Sequence, residues 1–454
     1  MDPFTHLQDI LGQLPFLKAY SHLLLCFPAE AHQSADEFEK WHQSFLSSFK
    51  TAAQQLAEAV PWLAGKVIDD SGIFNVLPCS LWENPNSIVR FKDCRHSAPS
   101  YQEIVAARGA IRLLDGSELA PRPAFPESYL DCDRDPAPVL ALQVNLVEGG
   151  ILVDCAAQHN ILDMMGLEQC LVLLATAMND TELPTHAVEQ ANRDRRSVVS
   201  LLRPDEPLLD HSQFKRTVSP PSIQEDSDLY SWKYYRFSQA RLMELKERAA
   251  INVSGPGSYI STDDALSAFC WKSITAARLK HTAGTIAKTG TRFVRAVNAR
   301  PALKVPREYM GDLVVLAVSH FIADELVQAP LSQVAATMRS DLQAVNHEDY
   351  IRSFATFLAT EPDRSSISYG GNFNPKADIG SSSWAQVKLY RIKFGFLGKP
   401  TLVRRPNFGP LKSDIYFMPQ TEDGDIDALL CMSEDDFAAL NASPEWRYFA
   451  DYIG

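Results

Sequence analysis

The chain has 454 residues, more than a single hydrophobic core usually serves, so two domains or one duplicated fold are expected. Hydrophobic residues make up 46% and charged residues 22%, a balance that is typical of globular proteins and excludes a mainly disordered chain. The net charge of −13 argues against a protein that binds the phosphate backbone of nucleic acids.

The cysteine pattern and the apolar runs exclude further classes. Eight cysteines are present, but no two form a CxxC pair and none has a histidine at zinc-site spacing, so no metal site is predicted. No stretch approaches about 18 uninterrupted apolar residues, and no secretory signal opens the chain. We therefore expect an intracellular protein with free thiols and no membrane-spanning segment.

The N-terminal half opens with a predicted long helix and a buried hairpin. Ser34 and Glu37 form an S-x-x-E capping box, apolar residues follow at helical spacing, and Pro61 ends the helix. Residues 139–147 and 151–157 are two nearly continuous apolar runs joined by a Gly-Gly turn. This pattern predicts a β-hairpin that lies inside the protein.

Further elements are predicted along the rest of the chain. Apolar positions at helical spacing between residues 167 and 178 indicate an amphipathic helix. Ser238 and Thr262 are expected to cap two more helices. Short strand-like runs follow at 312–318 and 415–418.

Helix and strand signals mix in both halves, which predicts an α/β chain of two domains. A polar stretch near the middle of the chain has the composition of a linker. We place the domains at residues 1–190 and 231–454, joined by a crossover linker at 191–230.

Basic residues concentrate in two windows of the second half. Residues 271–308 hold nine Lys or Arg and one acidic residue, and residues 388–412 hold seven and none. The rest of the chain has 27 basic and 55 acidic residues, a net charge of −28. Such windows suit a small polyanionic ligand, and charge reversal at cations such as Lys272, Arg295 and Arg404 should identify which of them face it. Solvated faces whose acidic partners lie elsewhere in space would give the same pattern.

The chemical signal of the sequence is an HxxxD motif at the exit of the hairpin. His159 and Asp163 are followed by Gly166, which opens the amphipathic helix. A strand can fix the backbone of such a histidine while its imidazole, which titrates near neutrality, serves as a general base in a cavity. The second HxxxD, at His320 and Asp324, has neither the glycine nor the hairpin, so we interpret His320 as a core or surface residue.

In this setting the motif resembles the active-site segment of the BAHD acyltransferases, CoA-dependent enzymes related in fold to chloramphenicol acetyltransferase. The resemblance runs from about residue 15 to residue 450. The VRRP run at 403–406 is most similar to the fungal branch that includes trichothecene 3-O-acetyltransferases. The other matching segments are PWLAGK at 61–66, QVN at 143–145, ISTDDAL at 260–266, NARP at 298–301, YMGD at 309–312, SSW at 382–384 and FGFLGKP at 394–400.

The resemblance implies a fold and a reaction. It implies two similar α/β domains with a tunnel between them, acetyl-CoA as co-substrate, a small hydroxylated secondary metabolite as acceptor, and no metal or permanently bound cofactor. His159 would be the general base that deprotonates the acceptor hydroxyl in a ternary complex. Asp163, the other residue of the catalytic motif, is expected to pair with Arg300 in a structural role. We expect a cytoplasmic monomer.

The resemblance also suggests ligand contacts. The positions at which the family contacts CoA or the acceptor are occupied by Ser261, Thr262, Asn298, Arg300, Ser383 and Trp384. Each of these six residues is equally compatible with a capping or packing role. One departure concerns Lys393, which stands where the family's DFGWG loop begins with Asp, so the local pairing there is left open.

Other functions remain compatible with the sequence. A condensation-type enzyme with a carrier-bound acyl donor shares the motif, but it carries a second histidine where this chain has Gln158. A non-catalytic member of the fold would be a binding protein, and water as the acceptor would make the enzyme a hydrolase. The sequence does not identify the acceptor, because its pocket is lined by residues scattered along the chain.

Overall fold

A computed structural model describes six stretches of the chain, in which helices pack on two large sheets and one small sheet. Ser34 of the predicted capping box and residues 218–229 of the predicted linker lie outside the described residues. The described stretches are residues 4–29, 35–79, 89–126, 136–217, 230–253 and 259–454.

The first sheet has the predicted hairpin at its centre. β6 (Leu140–Val147) and β7 (Gly150–Gln158) pair antiparallel and are buried along their whole length, which confirms the hairpin. β1 (Tyr20–Pro28) pairs with the other side of β7, and β4 (Val89–Asp93) runs parallel to β6. Because both faces of the hairpin are covered, its strands are mostly apolar rather than strictly alternating.

Two helices share the apolar core of the first sheet and contact each other, α1 (Ala35–Ala59) and α4 (Met164–Met178). α4 begins three residues before the predicted amphipathic stretch, because the Asp163 side chain caps it by accepting from the Gly166 N–H. The remaining elements of this half are β2 (Gly65–Asp70), β3 (Ile73–Pro78), β5 (Ala137–Pro138), α2 (Tyr101–Ala106), α3 (Gly116–Leu119) and α5 (Thr185–Ala191).

The second sheet is mixed, with its third strand parallel to both neighbours and the other pairs antiparallel. Its strands are, in spatial order, β10 (Val314–Ile322), β9 (Gly290–Asn298), β11 (Ile379–Ser383), β13 (Asp414–Phe417), β14 (Ile426–Ser433), β8 (Tyr230–Phe237) and β15 (Asp451–Tyr452).

The helices of the second half have clear sequence caps. Ser238 caps the first of them as predicted, but the second is capped by Ser261 rather than Thr262, which is its first helical residue. Ser261 Oγ accepts from the Asp264 N–H, and the Asp264 carboxylate accepts from the Ser261 N–H, a reciprocal capping box. The helices are α6 (Gln239–Ala249), α7 (Thr262–His281), α8 (Ala323–Gln328), α9 (Leu331–Val345), α10 (Glu348–Thr360), α11 (Glu434–Ala442) and α12 (Pro444–Phe449).

One strand crosses between the halves. β12 (Leu402–Arg404) comes from the second half of the chain but pairs antiparallel with β1 at the edge of the first sheet. The buried Arg404 on this strand forms an ion pair of 2.8 Å with Asp427 on β14 of the second sheet. The predicted division into two domains stays a prediction. Because β12 pairs with β1, the first sheet includes a strand from the second predicted domain.

Cations of the two basic windows are paired within the fold. Lys272 Nζ donates to two backbone carbonyls of α8 at 2.8 and 2.9 Å. Arg295 donates to the carboxylates in the first turn of α7 at 2.9 and 3.3 Å, and Arg404 is paired as described above. These three candidates therefore do not face a ligand, since each is bonded to groups that lie elsewhere in the fold. No helix among the described residues is both long and apolar enough to cross a membrane.

Candidate active site

His159 lies directly after β7, where the first sheet faces the second half of the chain. Its backbone N–H donates to the Ala19 carbonyl at 2.8 Å, which holds it beside the start of β1. Its side chain is 29% exposed and lines a cavity of about 770 Å³ to which both large sheets contribute residues. The sequence therefore delivers this imidazole from a fully buried strand to an internal surface.

The imidazole is held by Asp312, a residue that the sequence analysis did not single out. His159 Nδ1 lies 3.2 Å from Asp312 Oδ2, and the Asp312 side chain is buried. Because a carboxylate can only accept, Nδ1 carries the proton and Nε2 is left as the basic nitrogen. The only sequence signal was in YMGD, where Asp312 stands in the place of the Asn of the family's Y-x-GN segment.

Burial and the carboxylate act on the pKa of His159 in opposite directions. Burial lowers this pKa, but the hydrogen bond and the charge of Asp312 outweigh burial, so the net direction is upward from the ordinary value. Burial raises the pKa of Asp312, while His159 lowers it. The pair thus favours the imidazolium that forms when His159 accepts a proton.

Asp312 is fixed in turn by a buried network centred on Asp9. Its N–H donates to Asp9 Oδ2 at 3.1 Å, and Arg195 Nη1 donates to the same oxygen at 3.1 Å. The Tyr309 hydroxyl donates to the other oxygen of Asp9. Arg195 also donates to the Ile161 carbonyl at 2.7 Å, within the HxxxD loop. The segments that carry Asp9, Arg195 and Ile161 are distant in sequence, and together they hold the loop that carries Asp312.

Asp163 pairs with Arg300, which confirms the predicted contact. Arg300 Nη1 and Nη2 donate to the two carboxylate oxygens at 2.6 and 2.9 Å, and both side chains are buried. Asp163 also accepts from the N–H groups of Gly166 and Leu313 at 2.9 and 3.0 Å. These contacts make Asp163 a positioning residue that ties the His159 loop to the second half of the chain.

Arg300 has no room for a ligand. Besides Asp163, its guanidinium donates to the carbonyls of Tyr309 and Gly311 and to Asn298 Oδ1. The residue is 2% exposed. The family-based expectation that Arg300 contacts CoA or the acceptor is therefore corrected, because a saturated, buried guanidinium serves the fold.

Four of the other expected ligand contacts lie at one end of the second sheet. β9 and β11 are parallel neighbours, so their last residues, Asn298 and Ser383, end at the same edge, and both are exposed. Ser261 and Thr262 begin α7, whose first turn is bonded to Arg295 near the end of β9. The structure thus brings these four residues towards one edge.

Trp384, His320 and Lys393, which the sequence also singled out, lie in three different environments. Trp384 is almost fully buried and lines the cavity, and its Nε1 donates to Ser382 Oγ at 3.0 Å. His320 is exposed on β10 and is not among the residues that line the cavity. The Lys393 side chain is exposed, and its carbonyl accepts from Asn179 Nδ2 at 2.6 Å, so a backbone contact with the end of α4 holds this loop.

The chain is similar to known proteins over its whole length. It matches the model of the Transferase family over residues 121–446 and that of the trichothecene 3-O-acetyltransferase-like N-terminal domain over residues 19–178. It is 45% identical to O-acyltransferase pigD of Monascus ruber, with 100% of both chains covered. It is 32% identical to trichothecene 3-O-acetyltransferase TRI101 of Fusarium sporotrichioides, covering 98% of this chain and 96% of the other.

The fold is also similar to a solved structure. The crystal structure of F. graminearum TRI101 complexed with coenzyme A and T-2 mycotoxin superimposes with a TM-score of 0.88 at 31% identity. The match covers 98% of this chain and 99% of that one.

Proposed function

This chain belongs to the Transferase family, the BAHD acyltransferases, and from that premise we propose that it transfers an acetyl group from acetyl-CoA to a hydroxyl of a small secondary metabolite. The observation that carries the proposal is the position of His159, which Asp312 orients on the wall of a cavity between two sheets. Ligand sites are commonly found at such domain interfaces.

The geometry supports direct transfer with His159 as general base. Nε2 takes the proton of the acceptor hydroxyl while the hydroxyl oxygen attacks the thioester carbonyl carbon. Asp312 stabilises the imidazolium through its Nδ1–H. The tetrahedral intermediate then collapses, the C–S bond breaks, and Nε2 returns the proton to the CoA thiolate.

A covalent acyl-enzyme route finds no support near His159. Cys155 and Cys170 are buried, and burial raises the pKa of both thiols above the ordinary value, so neither supplies a thiolate nucleophile. The side-chain oxygen of Gln158 accepts from the Asn160 N–H at 2.8 Å, a structural contact at the position where condensation-type enzymes carry a second histidine. Both observations favour a ternary complex with soluble acyl-CoA.

We place the entrance for the donor at the ends of β9 and β11. Arg307 donates to the Gln386 carbonyl at 3.1 Å, which brings the loop after β9 next to the segment after β11. Lys304 in that loop is exposed, and Lys388 follows in that segment. Lys304 and Lys388 are the cations that we assign to the phosphates of CoA, because Arg307 is ion-paired with Glu168 at 2.6 Å.

We further propose that the enzyme acts as a cytoplasmic monomer. The proposed base His159 and the orienting Asp312 lie in the same chain, so the proposed chemistry needs no residue of a second copy. Support for the cytoplasm comes from the donor, since acyl-CoA is an intracellular metabolite.

The proposal is tested by incubating the purified protein with acetyl-CoA and panels of hydroxylated terpenoid, polyketide and alkaloid acceptors. Release of free thiol together with an acetylated product, identified by mass, is the expected result. Thiol release that is independent of any acceptor would identify a hydrolase instead. The His159→Ala variant is the control, and it should release no thiol above the background rate.

A further inference from the structure

The cavity that contains His159 has a second group of polar residues, which lies further along β1. His22 on β1, Arg405 directly after β12 and Asp414 at the start of β13 all line it. Because the His159 N–H is bonded to the residue three positions before His22, the two histidine backbones are separated by about 10 Å along the strand.

The pairing of β1 with β12 brings Arg405 next to this part of β1. Leu24 lies opposite Arg404 in this antiparallel pair, so Arg405 follows on the side of Leu23, next to His22. Phe408 links the two side chains, since its ring lies 4.5 Å from the His22 ring and 5.1 Å from the Arg405 guanidinium.

The guanidinium of Arg405 is buried without an ion-pair partner among the described residues. Arg405 is 3% exposed, and its guanidinium carbon lies 5.0 to 5.3 Å from the rings of Trp232, Phe408 and Tyr416. In the described part of the chain, its side chain makes one hydrogen bond, from Nη1 to the Pro406 carbonyl at 3.5 Å. An interior guanidinium with five donor hydrogens is therefore largely unsatisfied by the protein.

Asp414 and His22 lie in the same region, next to Arg405. Asp414 has no ion pair within the described residues, but its carboxylate is hydrogen-bonded to the Tyr416 side chain and the Ile415 backbone. Burial raises the pKa of Asp414 to about 7, although the charge of Arg405 lowers it. His22 is fully buried, and its Nδ1 lies 2.8 Å from Asp154 Oδ2 while its Nε2 has no hydrogen-bond partner in the described structure. Leaving the donors of Arg405 without partners is costly, so the arrangement indicates a ligand that accepts from them.

We propose that Arg405, flanked by Asp414 and His22, is a polar anchor that binds the end of the acceptor opposite the acetylated hydroxyl, and that this end carries a carbonyl oxygen to which Arg405 donates. The inference rests on the proposed function, which places the reacting hydroxyl at His159. Aromatic rings frame Arg405, so the acceptor is a flat aromatic or conjugated ketone. The carbonyl and the hydroxyl lie on the order of 10 Å apart, as judged from the backbone separation of His159 and the neighbouring His22 along β1.

Two probe molecules test the anchor directly. 4-Acetyl-4′-hydroxybiphenyl carries a hydroxyl at one end and a ketone at the other, and 4-ethyl-4′-hydroxybiphenyl lacks only the carbonyl oxygen. Calorimetric titration of the CoA-free protein should show the ketone binding roughly tenfold tighter or more, as expected for a hydrogen bond to a charged group. Acetylation kinetics with both probes should show the same ratio in KM.

The Arg405→Met variant should bind both probes equally, because it removes the donors while the three rings still pack an apolar side chain. The Arg405→Gln variant keeps a neutral donor, and its preference should fall without vanishing. Lys412→Met is the matched control, since Lys412 lines the same cavity with its ammonium against the Tyr230 ring, and this variant should keep the preference. Melting temperatures establish that each variant is folded.

Three outcomes overturn the anchor. They are equal affinity of the wild type for the two probes, no measurable binding of either, and an unchanged preference in Arg405→Gln or Arg405→Met. Failure of the proposed function is a separate result. It would appear as a preserved ketone preference in binding, together with no acceptor-dependent release of thiol from acetyl-CoA.

Discussion

At the scale of single residues, two carboxylates near His159 have different roles because they have different partners. Asp163 is saturated by the Arg300 guanidinium and two backbone N–H groups, so its charge is balanced before the imidazole is considered. Asp312 shares its charge with the imidazole and accepts otherwise from the Val314 N–H. The carboxylate four residues away in sequence thus positions the loop, while the one 153 residues away orients the base.

Replacement of His159 by Ala should remove nearly all transfer. A positioned general base contributes roughly 10²–10⁴-fold to the rate, and no second base is assigned in this cavity. His320→Ala should keep most of the activity, because His320 is exposed on β10 outside the cavity. Thiol release with acetyl-CoA and an acceptor measures both variants. Equal loss in two folded proteins would contradict the assignment.

The Asp312→Asn variant should move the acid limb of the pH profile to lower pH. His159 is a base only when it is neutral, so activity is lost as the pH falls through its pKa, which Asp312 raises. The amide removes the negative charge, lowers this pKa and leaves a carbonyl oxygen to accept from Nδ1–H. The measurement is kcat/KM against pH for both proteins. An acid limb that does not move would rule out the electrostatic role of Asp312.

At the scale of elements, the turn between β7 and α4 carries the HxxxD motif and contacts the second half of the chain. Asp163 caps α4, and the helix begins so close to the second half of the chain that a Cβ at Gly166 would lie 2.2 Å from the Met310 carbonyl oxygen. Glycine is therefore required by a close backbone approach rather than by its conformation. The same approach lets Arg300 reach Asp163 across the interface.

Removing the Asp163–Arg300 ion pair should destabilise the protein. Asp163→Ala leaves Arg300 buried without its carboxylate, and Arg300→Ala leaves the carboxylate without its cation, each at a cost of about 3–5 kcal/mol. The double variant should lose less than the sum, because neither charge is then left unpaired. Thermal or denaturant unfolding measures all three. A fully stable but inactive Asp163→Asn protein would instead indicate a direct chemical role.

At the scale of the whole molecule, the cations of the second half fall into two groups: those held in ion pairs within the fold, and those near the edge of the second sheet where β9 and β11 end. Many cations of the second half are ion-paired within the protein, as Arg278, Arg292 and Arg404 are with Asp436, Asp378 and Asp427. These pairs hold elements together and are not available to a ligand. The exposed Lys304 and the half-buried Lys388, beyond the ends of β9 and β11, are the cations that we assign to the donor.

The KM for acetyl-CoA should therefore rise with ionic strength more than that of a neutral acceptor, since salt screens exposed charges over about 8 Å at physiological ionic strength. Lys304→Glu and Lys388→Glu should raise the donor KM further. Lys272→Met is the control: it should lower the melting temperature, because its ammonium bonds to backbone carbonyls, and leave the donor KM unchanged. Steady-state kinetics at several salt concentrations decide the matter, and a flat donor KM would refute the proposed entrance.

The sequence by itself determined the local structure and the reaction class. The apolar runs around Gly149 and Gly150 specify the buried hairpin, and Ser238 marks a helix start, because these signals depend on residues a few positions apart. The HxxxD motif with its flanking segments indicated the family and even the Asp163–Arg300 pair. Asp312 was missed, although a departure from the family segment was present, because its contact with His159 joins distant parts of the chain.

Only the tertiary structure decided which charges meet and which face a cavity. The crossing of β12 into the first sheet buries Arg404 against Asp427 and places Arg405, the next residue, in the wall of the cavity, where no described residue forms an ion pair with it. Two adjacent arginines in one VRRP run therefore have opposite roles, one structural and one proposed to bind the acceptor. Sequence pattern cannot separate them, because the sign and the distance of each partner are set by strands that are far apart along the chain.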